Sequence, residues 1–480
     1  MSGGGPPCAQ AVGRLHSRYR PEAEAERYLE AINPARDADF FILVEPGMGY
    51  LVDALRKLRP GAGTVALHAD PRFREFENLR PYVPSWYPDC GKTVQEFLEA
   101  EIPEGASARI VEWRPSLSVY GQACLRLVRE SADFIKRAEA GRRTVAAFGR
   151  RWLRNFFRNL GLVRVSLLCS SPMDVPVVVT GSGPGLEAAL PEIRAARDGV
   201  FVLASSSSLP ALAAGGIAPD MAIGTDGGGW ALMHLYACFR AGATPGLKLA
   251  CALTAALPSR CSELPVLPIR DGGFWQTAAL AAAGLPSVSV PQRGTVTASA
   301  MELALSLSSG LVFLAGADLC VADVRTHARP YGFDHLFFGA ASRLRPVYAQ
   351  AFARFLDVRA GGSHDIYAAW FKTRLESLGG RVFSLGAGRG VFENAPSLGP
   401  FVGRGKSGAG EGFRELRPEG RRDARAKLAL GALVAGLNDP RSSPALAAEL
   451  GPLLFPGRRE VRAAELAETL PDVAGLRQRG

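Results

Sequence analysis

Five residues, Gly181-Ser182-Gly183-Pro184-Gly185, interrupt an apolar run and are followed at once by Leu186-Glu187-Ala188-Ala189-Leu190 at helical spacing. A glycine turn before a helix lets backbone approach a phosphate, whose charge the helix N-terminus favours. The spacing is not the dinucleotide fingerprint, because a third glycine falls at 185, and it is not a Walker loop, because no Gly-Lys-Ser/Thr follows. By itself the turn serves equally well as a ligand loop or as a tight structural turn. Lys406-Ser407 sits in a Gly-Lys-Ser context, but no strand precedes it.

Other polar groups fall where apolar runs end: Ser205 to Ser208, Thr225-Asp226, Asp318, and Ser384 to Gly388. Asp226 and Asp318 have the chemistry to contact a ribose, a metal or an acceptor, and equally that of an N-cap or turn bond. His327, in the loop beyond Asp318, is a candidate general base because imidazole titrates near neutrality. His364 competes with it. The four serines can bond a donor, though such a run is more often a solvated turn. The tryptophans show no stacking pattern.

For these groups to meet, the runs ahead of them must be parallel strands that end on one edge. Residues 175–180, 199–204, 221–224 and 311–316 are such runs, alternating with helical patterns at 186–190, 209–214 and 301–307. That alternation predicts a parallel sheet covered on both faces. A last helix–strand unit runs from Ala368 to Leu385. Upstream, Asp39–Val44, a Gly47–Gly49 turn, a helix from Tyr50 and the run Thr64–Ala69 read as a smaller βαβ unit. The expected fold class is therefore α/β: a Rossmann-like parallel-sheet core, a smaller Rossmann-like N-terminal domain and a helical C-terminal segment. The expected boundaries are an N-terminal domain over 1–120, a helical connector over 121–165, the core over 166–400, a linker over 401–425 and the C-terminal segment over 426–480.

With 480 residues, 47% hydrophobic and 21% charged, the chain has globular composition and can bury more than one core. No segment reaches the apolar length of about 18 residues that a membrane span needs, and residues 1–31 carry no apolar signal region. The eight cysteines form no CxxC pair, so reduced thiols and a cytoplasmic location are expected, and no metal cluster is foreseen. The net charge of +10 comes from arginine spread along the chain, with one concentration near 403–427, so it gives no ground for a nucleic-acid partner.

Three segments, in order, carry a resemblance: VVVTGSGPGLEAALPEI, VFVLASSSSLPALAAGGIAPDMAIGTD and LVFLAGADLCVADVRTHA. They resemble the motility-associated-factor (Maf) flagellin glycosyltransferases, whose central domain is named 6-hydroxymethylpterin diphosphokinase MptE-like. The matching elements are Gly181 to Leu186, Gly216-Ile217-Ala218-Pro219-Asp220 with Asp226, Gly316-Ala317-Asp318-Leu319, and Thr326-His327-Ala328. The glycine turn and the segment from Thr295 to Asp318 are also similar to bacterial sialyltransferases that use CMP-sialic acid. Two positions depart from those patterns: Gly185 stands where Maf proteins have Ser, and Ser182 where the sialyltransferases have Asn.

The resemblance implies transfer of a nonulosonic (sialic-like) sugar from a CMP-activated donor to Ser or Thr of a protein acceptor, with flagellin the candidate. It implies no tightly bound cofactor and leaves Mg²⁺ open. Gly181, Ser182, Gly183, Pro184, Gly185, Ser205, Asp226, Gly294 and Thr295 would hold the donor, and His327 and Asp318 would serve catalysis. The alternatives are an ATP- and Mg²⁺-dependent 6-hydroxymethylpterin diphosphokinase, and a non-catalytic nucleotide-binding or scaffold protein of the same fold. The oligomeric state, the sugar and the acceptor are not written in these residues.

Overall fold

The computed structural model describes residues 15–32, 38–79, 83–103, 106–240, 242, 245–291, 294–319, 324–361, 363–378, 380–385, 397–402, 412–418, 422–458 and 460–476. They form two compact units, Met1–Ala147 and Phe148–Gly480. Both are α/β with parallel sheets, as the strand–helix alternation predicts.

In the first unit, strands β1 (Phe40–Val44), β2 (Gly63–Leu67), β3 (Ser85–Trp86) and β4 (Ala108–Glu112) lie in the order β3-β2-β1-β4, all parallel. Successive side chains of a strand point to opposite faces. Phe41 and Leu43 therefore pack with Leu51 and Leu55, whereas Ile42 and Val44 pack with Val65, Leu67 and Phe97. A sheet buried on both faces needs such a continuous apolar run, and FFILV supplies it. Helices α1 (Pro21–Ile32), α2 (Tyr50–Leu58), α3 (Val94–Glu101) and α4 (Arg114–Tyr120) complete the unit. At the tip of β1 the buried Glu45 holds a left-handed φ of 45°. Its carboxylate accepts the N–H groups of Gly47, Ala69 and Asp70 and meets His68 Nδ1 at 3.1 Å.

Helix α5 runs from Gln122 to Leu160. Its last turns belong to the second unit, where Asn159, fully buried, donates to the carbonyls of Leu253 and Ala255. The stretch expected as a connector thus ends as part of a core, because Leu153, Phe156, Phe157 and Leu160 are buried there.

The second unit is built on a ten-stranded sheet. Its strands are β5 (Ser166–Cys169), β6 (Val177–Thr180), β7 (Phe201–Ser205), β8 (Met221–Gly224), β9 (Lys248–Ala252), β10 (Val266–Arg270), β11 (Val288–Ser289), β12 (Val312–Ala315), β13 (Val382–Leu385) and β14 (Phe413–Leu416). The order is β13-β12-β6-β7-β8-β9-β10-β5-β14, with β11 beside β10. Only β14, against β5, is antiparallel. The chain passes from β6 outward through β7, β8, β9 and β10, then returns to add β12 on the other side of β6. The topological switch point therefore falls between β6 and β12.

The covering helices are α6 (Leu186–Ala195), α7 (Leu209–Ala214), α8 (Leu232–Arg240), α9 (Phe274–Ala282), α10 (Val296–Leu307), α11 (Asp334–Gly339), α12 (Val347–Gly361), α13 (Ser363–Glu376), α14 (Arg422–Asn438), α15 (Ser443–Leu454) and α16 (Ala463–Ala474). Two segments differ from expectation. Within the stretch expected as a linker, Phe413–Leu416 is an edge strand, held by Phe413 stacking on Phe201 at 6.1 Å. The C-terminal helices pack on α9, and Glu449 of α15 accepts the N–H groups of Phe274 and Trp275, the otherwise orphaned donors at the start of α9.

Candidate functional site

The glycine turn leaves β6 at the switch point and lies against the end of β12. Gly181 N–H donates to Ala315 O and Gly183 N–H to Gly316 O, each at 2.7 Å, and Gly185 N–H donates to Asp318 Oδ2. Cβ atoms on the three glycines would stand 2.4, 2.6 and 2.4 Å from Gly316 O, Asp318 Oδ2 and Asp318 Oδ1. Gly181 and Gly183 are thus required because two backbones cross without room for a methyl group, and Gly185 because the Asp318 carboxylate lies against it. Three of the turn's four N–H groups are bonded to the β12 end (Pro184 has none), so the turn is a braced crossing and not an open cradle of amides. Asp318 serves as that brace, placing its charge at the N-terminus of α6.

The loop bearing His327 is held to the same turn. Ala328 N–H donates to Ser182 O at 2.8 Å. Glu187, in the first turn of α6, accepts from Arg325 Nη1 at 3.0 Å and from Arg329 N–H at 2.9 Å. Thr326 Oγ1 lies 2.8 Å from His327 Nδ1, and Tyr331 stacks on the His327 ring with centroids 4.0 Å apart. Gly181 to Gly185, Asp318 and His327 therefore form one connected group.

The remaining expected residues divide. Thr295 N-caps α10, its hydroxyl accepting Ala298 N–H at 3.0 Å, after a left-handed Gly294 at φ 76°. Two residues on, Thr297 Oγ1 would stand 3.0 Å from a Cβ on Gly181, so the start of α10 adjoins the glycine turn. Ser205 is buried, with its hydroxyl 3.1 Å from Ser207 Oγ, so it is a packed strand end. Asp226 is exposed at the tip of β8 and accepts Gly228 N–H at 2.7 Å. His364 lies in α13, its side chain outside the described residues, as are Gly386 to Gly388 and the Lys406-Ser407 pair.

The structure adds residues that the spacing did not single out. His234, near the start of α8, is 8% exposed, and its Nδ1 has no hydrogen-bond partner among the described residues. Burial lowers its pKa to about 4, against the opposing pull of the Asp226 carboxylate, so it is neutral near pH 7. Burial also pushes the Tyr331 phenol up to about 12, with Arg354 opposing and Asp334 and Asp226 adding. The Asp226 charge acts on both groups, opposing the shift at His234 and adding to it at Tyr331. A lone histidine in the apolar helix LMHLYACFR carries no chemical signal; only packing reveals it.

Among the described residues, no cluster of three or more His, Cys, Asp or Glu side chains is arranged to hold a metal ion. No helix among them is long and apolar enough to cross a membrane.

Comparison with known proteins follows the same lines. Residues 150–324 match the family model described as 6-hydroxymethylpterin diphosphokinase MptE-like. An uncharacterised protein of Treponema pallidum (strain Nichols) is 30% identical over 285 residues, 58% of this chain and 61% of that protein. A second uncharacterised protein of that organism is 31% identical over 81 residues, 16% of this chain and 39% of its own length. The alignment thus spans about three-fifths of the first relative. Among solved structures, a Maf glycosyltransferase from Magnetospirillum magneticum AMB-1 has a similar fold: TM-score 0.51, 14% identity, covering 98% of this chain and 80% of that one. The chain therefore carries an MptE-like domain within a Maf-like α/β fold.

Proposed function

We propose that this chain, MptE-like in its core and Maf-like in fold, is a glycosyltransferase that moves a nonulosonic sugar from a CMP donor to Ser or Thr of a protein acceptor, with flagellin the candidate. The observation that carries this reading is the bonded group at the β6–β12 switch point: the glycine turn, Asp318 and the His327 loop meet where parallel sheets take their ligands. The reaction is expected in the cytoplasm, with Mg²⁺ left open.

The leaving group of a CMP-sugar is already a phosphate, so the protein must mainly position the partners, take a proton and stabilise charge. Ser182 and the start of α10, through Gly294 and Thr295, would contact the nucleotide. Asp318 acts one step removed, by holding the turn. His327 would accept the acceptor hydroxyl's proton, its ring oriented by Thr326 and Tyr331.

The description of the matched family model favours a second reading, pyrophosphate transfer from ATP to a pterin alcohol. Calorimetric titration with CMP and with ATP plus Mg²⁺ separates the two. Under the first reading CMP binds and ATP does not, and His327→Ala keeps CMP affinity while transfer falls about 100-fold or more. ATP-dependent binding of 6-hydroxymethylpterin would reverse the choice, and silence toward both nucleotides would leave a scaffold.

A further inference from the structure

The helical hairpin that follows the His327 loop, α11 with α12, keeps many of its large apolar side chains outside. Of the fifteen exposed large apolar side chains among the described residues, six belong to it: Leu336, Phe338, Leu344, Tyr348, Phe352 and Leu356. Leu344 is 93% exposed and Tyr348 66%. Single exposed apolar groups are ordinary, but such a concentration in one hairpin marks a surface that meets something else. The hairpin is nonetheless well built. Ser342 and Arg345 exchange both backbone hydrogen bonds at 3.1 Å, and Gln350 Nε2 donates to Arg345 O at 3.1 Å. Arg354 lies 4.3 Å from the Phe337 ring centre and so ties α12 to α11.

On a helix, residues four apart share a face. Tyr348, Phe352 and Leu356 therefore form one ridge along α12, and the Tyr348 and Phe352 rings stack at 6.5 Å. Beside the ridge run Ala349 and Ala353, both exposed, which leave a groove along it. A ridge with a groove beside it is the relief onto which a second helix packs, with axes about 8–10 Å apart. The charges at the hairpin's turn have one sign. Arg343 and Arg345 are exposed, and among the described residues no carboxylate pairs with either. Acidic residues flanking a partner helix complement them, and the N-terminus of α12 adds its own preference for negative charge. A second copy of this face would set arginine against arginine, and a lipid surface would make no use of the groove.

We infer that the exposed face of α12 is a docking surface for an amphipathic helix with acidic flanks, carried by a partner protein. The partner's apolar ridge lies along Ala349 and Ala353, and its carboxylates face Arg343 and Arg345. The inference stands apart from the transfer reaction, since it uses no residue of the glycine turn, Asp318 or His327. Its position matters to them all the same. Tyr331 stacks on His327, and Arg354 of α12 stands 6.0 Å from the Tyr331 ring centre, so a docked partner lies beside that loop.

The test titrates full-length protein into a fluorescent model peptide of about 18 residues, with leucines at helical spacing and glutamates on both flanks. Anisotropy should report a Kd below about 100 μM, and a counterpart with lysine for glutamate should bind at least about tenfold more weakly. Phe352→Ser removes part of the ridge and Ala353→Trp fills the groove; each should weaken binding about tenfold. Arg345→Glu should narrow the preference for the acidic peptide. All three positions are exposed, so the melting temperature should stay at the wild-type value, which separates lost docking from a lost fold. No binding of the acidic peptide, equal binding of both peptides, or affinity that survives Phe352→Ser and Ala353→Trp overturns the surface. Sedimentation with phosphatidylglycerol vesicles that Phe352→Ser abolishes would replace the partner helix with a membrane. A dimer in analytical ultracentrifugation that the same variant dissolves would replace it with a second copy.

Discussion

Asp318 accepts the backbone N–H of Gly185, and through that bond the loop after β12 holds the first turn of α6. The partners are 133 residues apart in the chain. Asp318→Ala strips a helix N-terminus of its carboxylate and should cost about 1–3 kcal/mol. Gly185→Ala should cost a similar amount by steric conflict with Asp318. Because the two changes strike one contact, the double variant should lose less than the sum, as measured by chemical denaturation.

Acid should destabilise the second unit through His234. Its pKa is lowered from 6.5 to about 4 in the folded chain, so between those values the unfolded chain binds a proton that the folded chain refuses. The stabilising contribution is whole above about pH 6.5 and is lost as pH falls toward 4, on the order of 3 kcal/mol across the window. Tyr331 and Phe333 lie against the ring, and the Asp226 charge opposes the shift. His234→Asn should flatten the fall of melting temperature across that window; an unchanged slope would count against a buried neutral imidazole.

Glu187→Gln tests the tether of the His327 loop. The Glu187–Arg325 pair is about one-third exposed, so stability should change by no more than about 1 kcal/mol. The loop should nevertheless loosen, because Arg329 N–H and Arg325 share the same carboxylate. Under the proposed reading, transfer should fall several-fold more than CMP affinity does.

Glu45→Ala removes a buried carboxylate that satisfies three backbone N–H groups and His68. A loss of about 3 kcal/mol or more is expected. Amide exchange should accelerate around residues 44–49 and 67–70, with the β6–β12 region little affected.

Strands buried on both faces announced themselves. Val177–Thr180, Phe201–Ser205, Met221–Gly224 and Val312–Ala315 are unbroken apolar runs ending in glycine or small polar residues, so sheet and edge were both readable. β10 was not, because Pro268 sits inside it and proline normally argues against an inner strand. β14 was hidden by its surroundings: four residues with two charges, read as linker until Phe413 is seen against Phe201.

For the candidate site, residue types singled out the glycine turn, Asp318 and His327, and the structure brings these together, with Asp318 bonded to the turn itself. Glycine spacing looks the same whether a phosphate or another strand makes the close approach, and here it is the end of β12. Ser205 had the right chemistry at the right strand end, yet it is packed inward. Trp230 and His234 lie four residues apart in an apolar helical stretch that reads as ordinary core, and Tyr331 comes from a distant loop.

The crossing of β6 and β12 also sets an order of events during synthesis. A growing chain that has emerged only through β10 has the glycine turn but not Gly316 or Asp318 to hold it. Non-local pairing of this kind forms late, after the intervening chain has been closed into a loop. Under the proposed reading, ribosome-bound fragments ending before β12 should therefore fail to retain nucleotide, and a competent site would form only as the closing strand arrives.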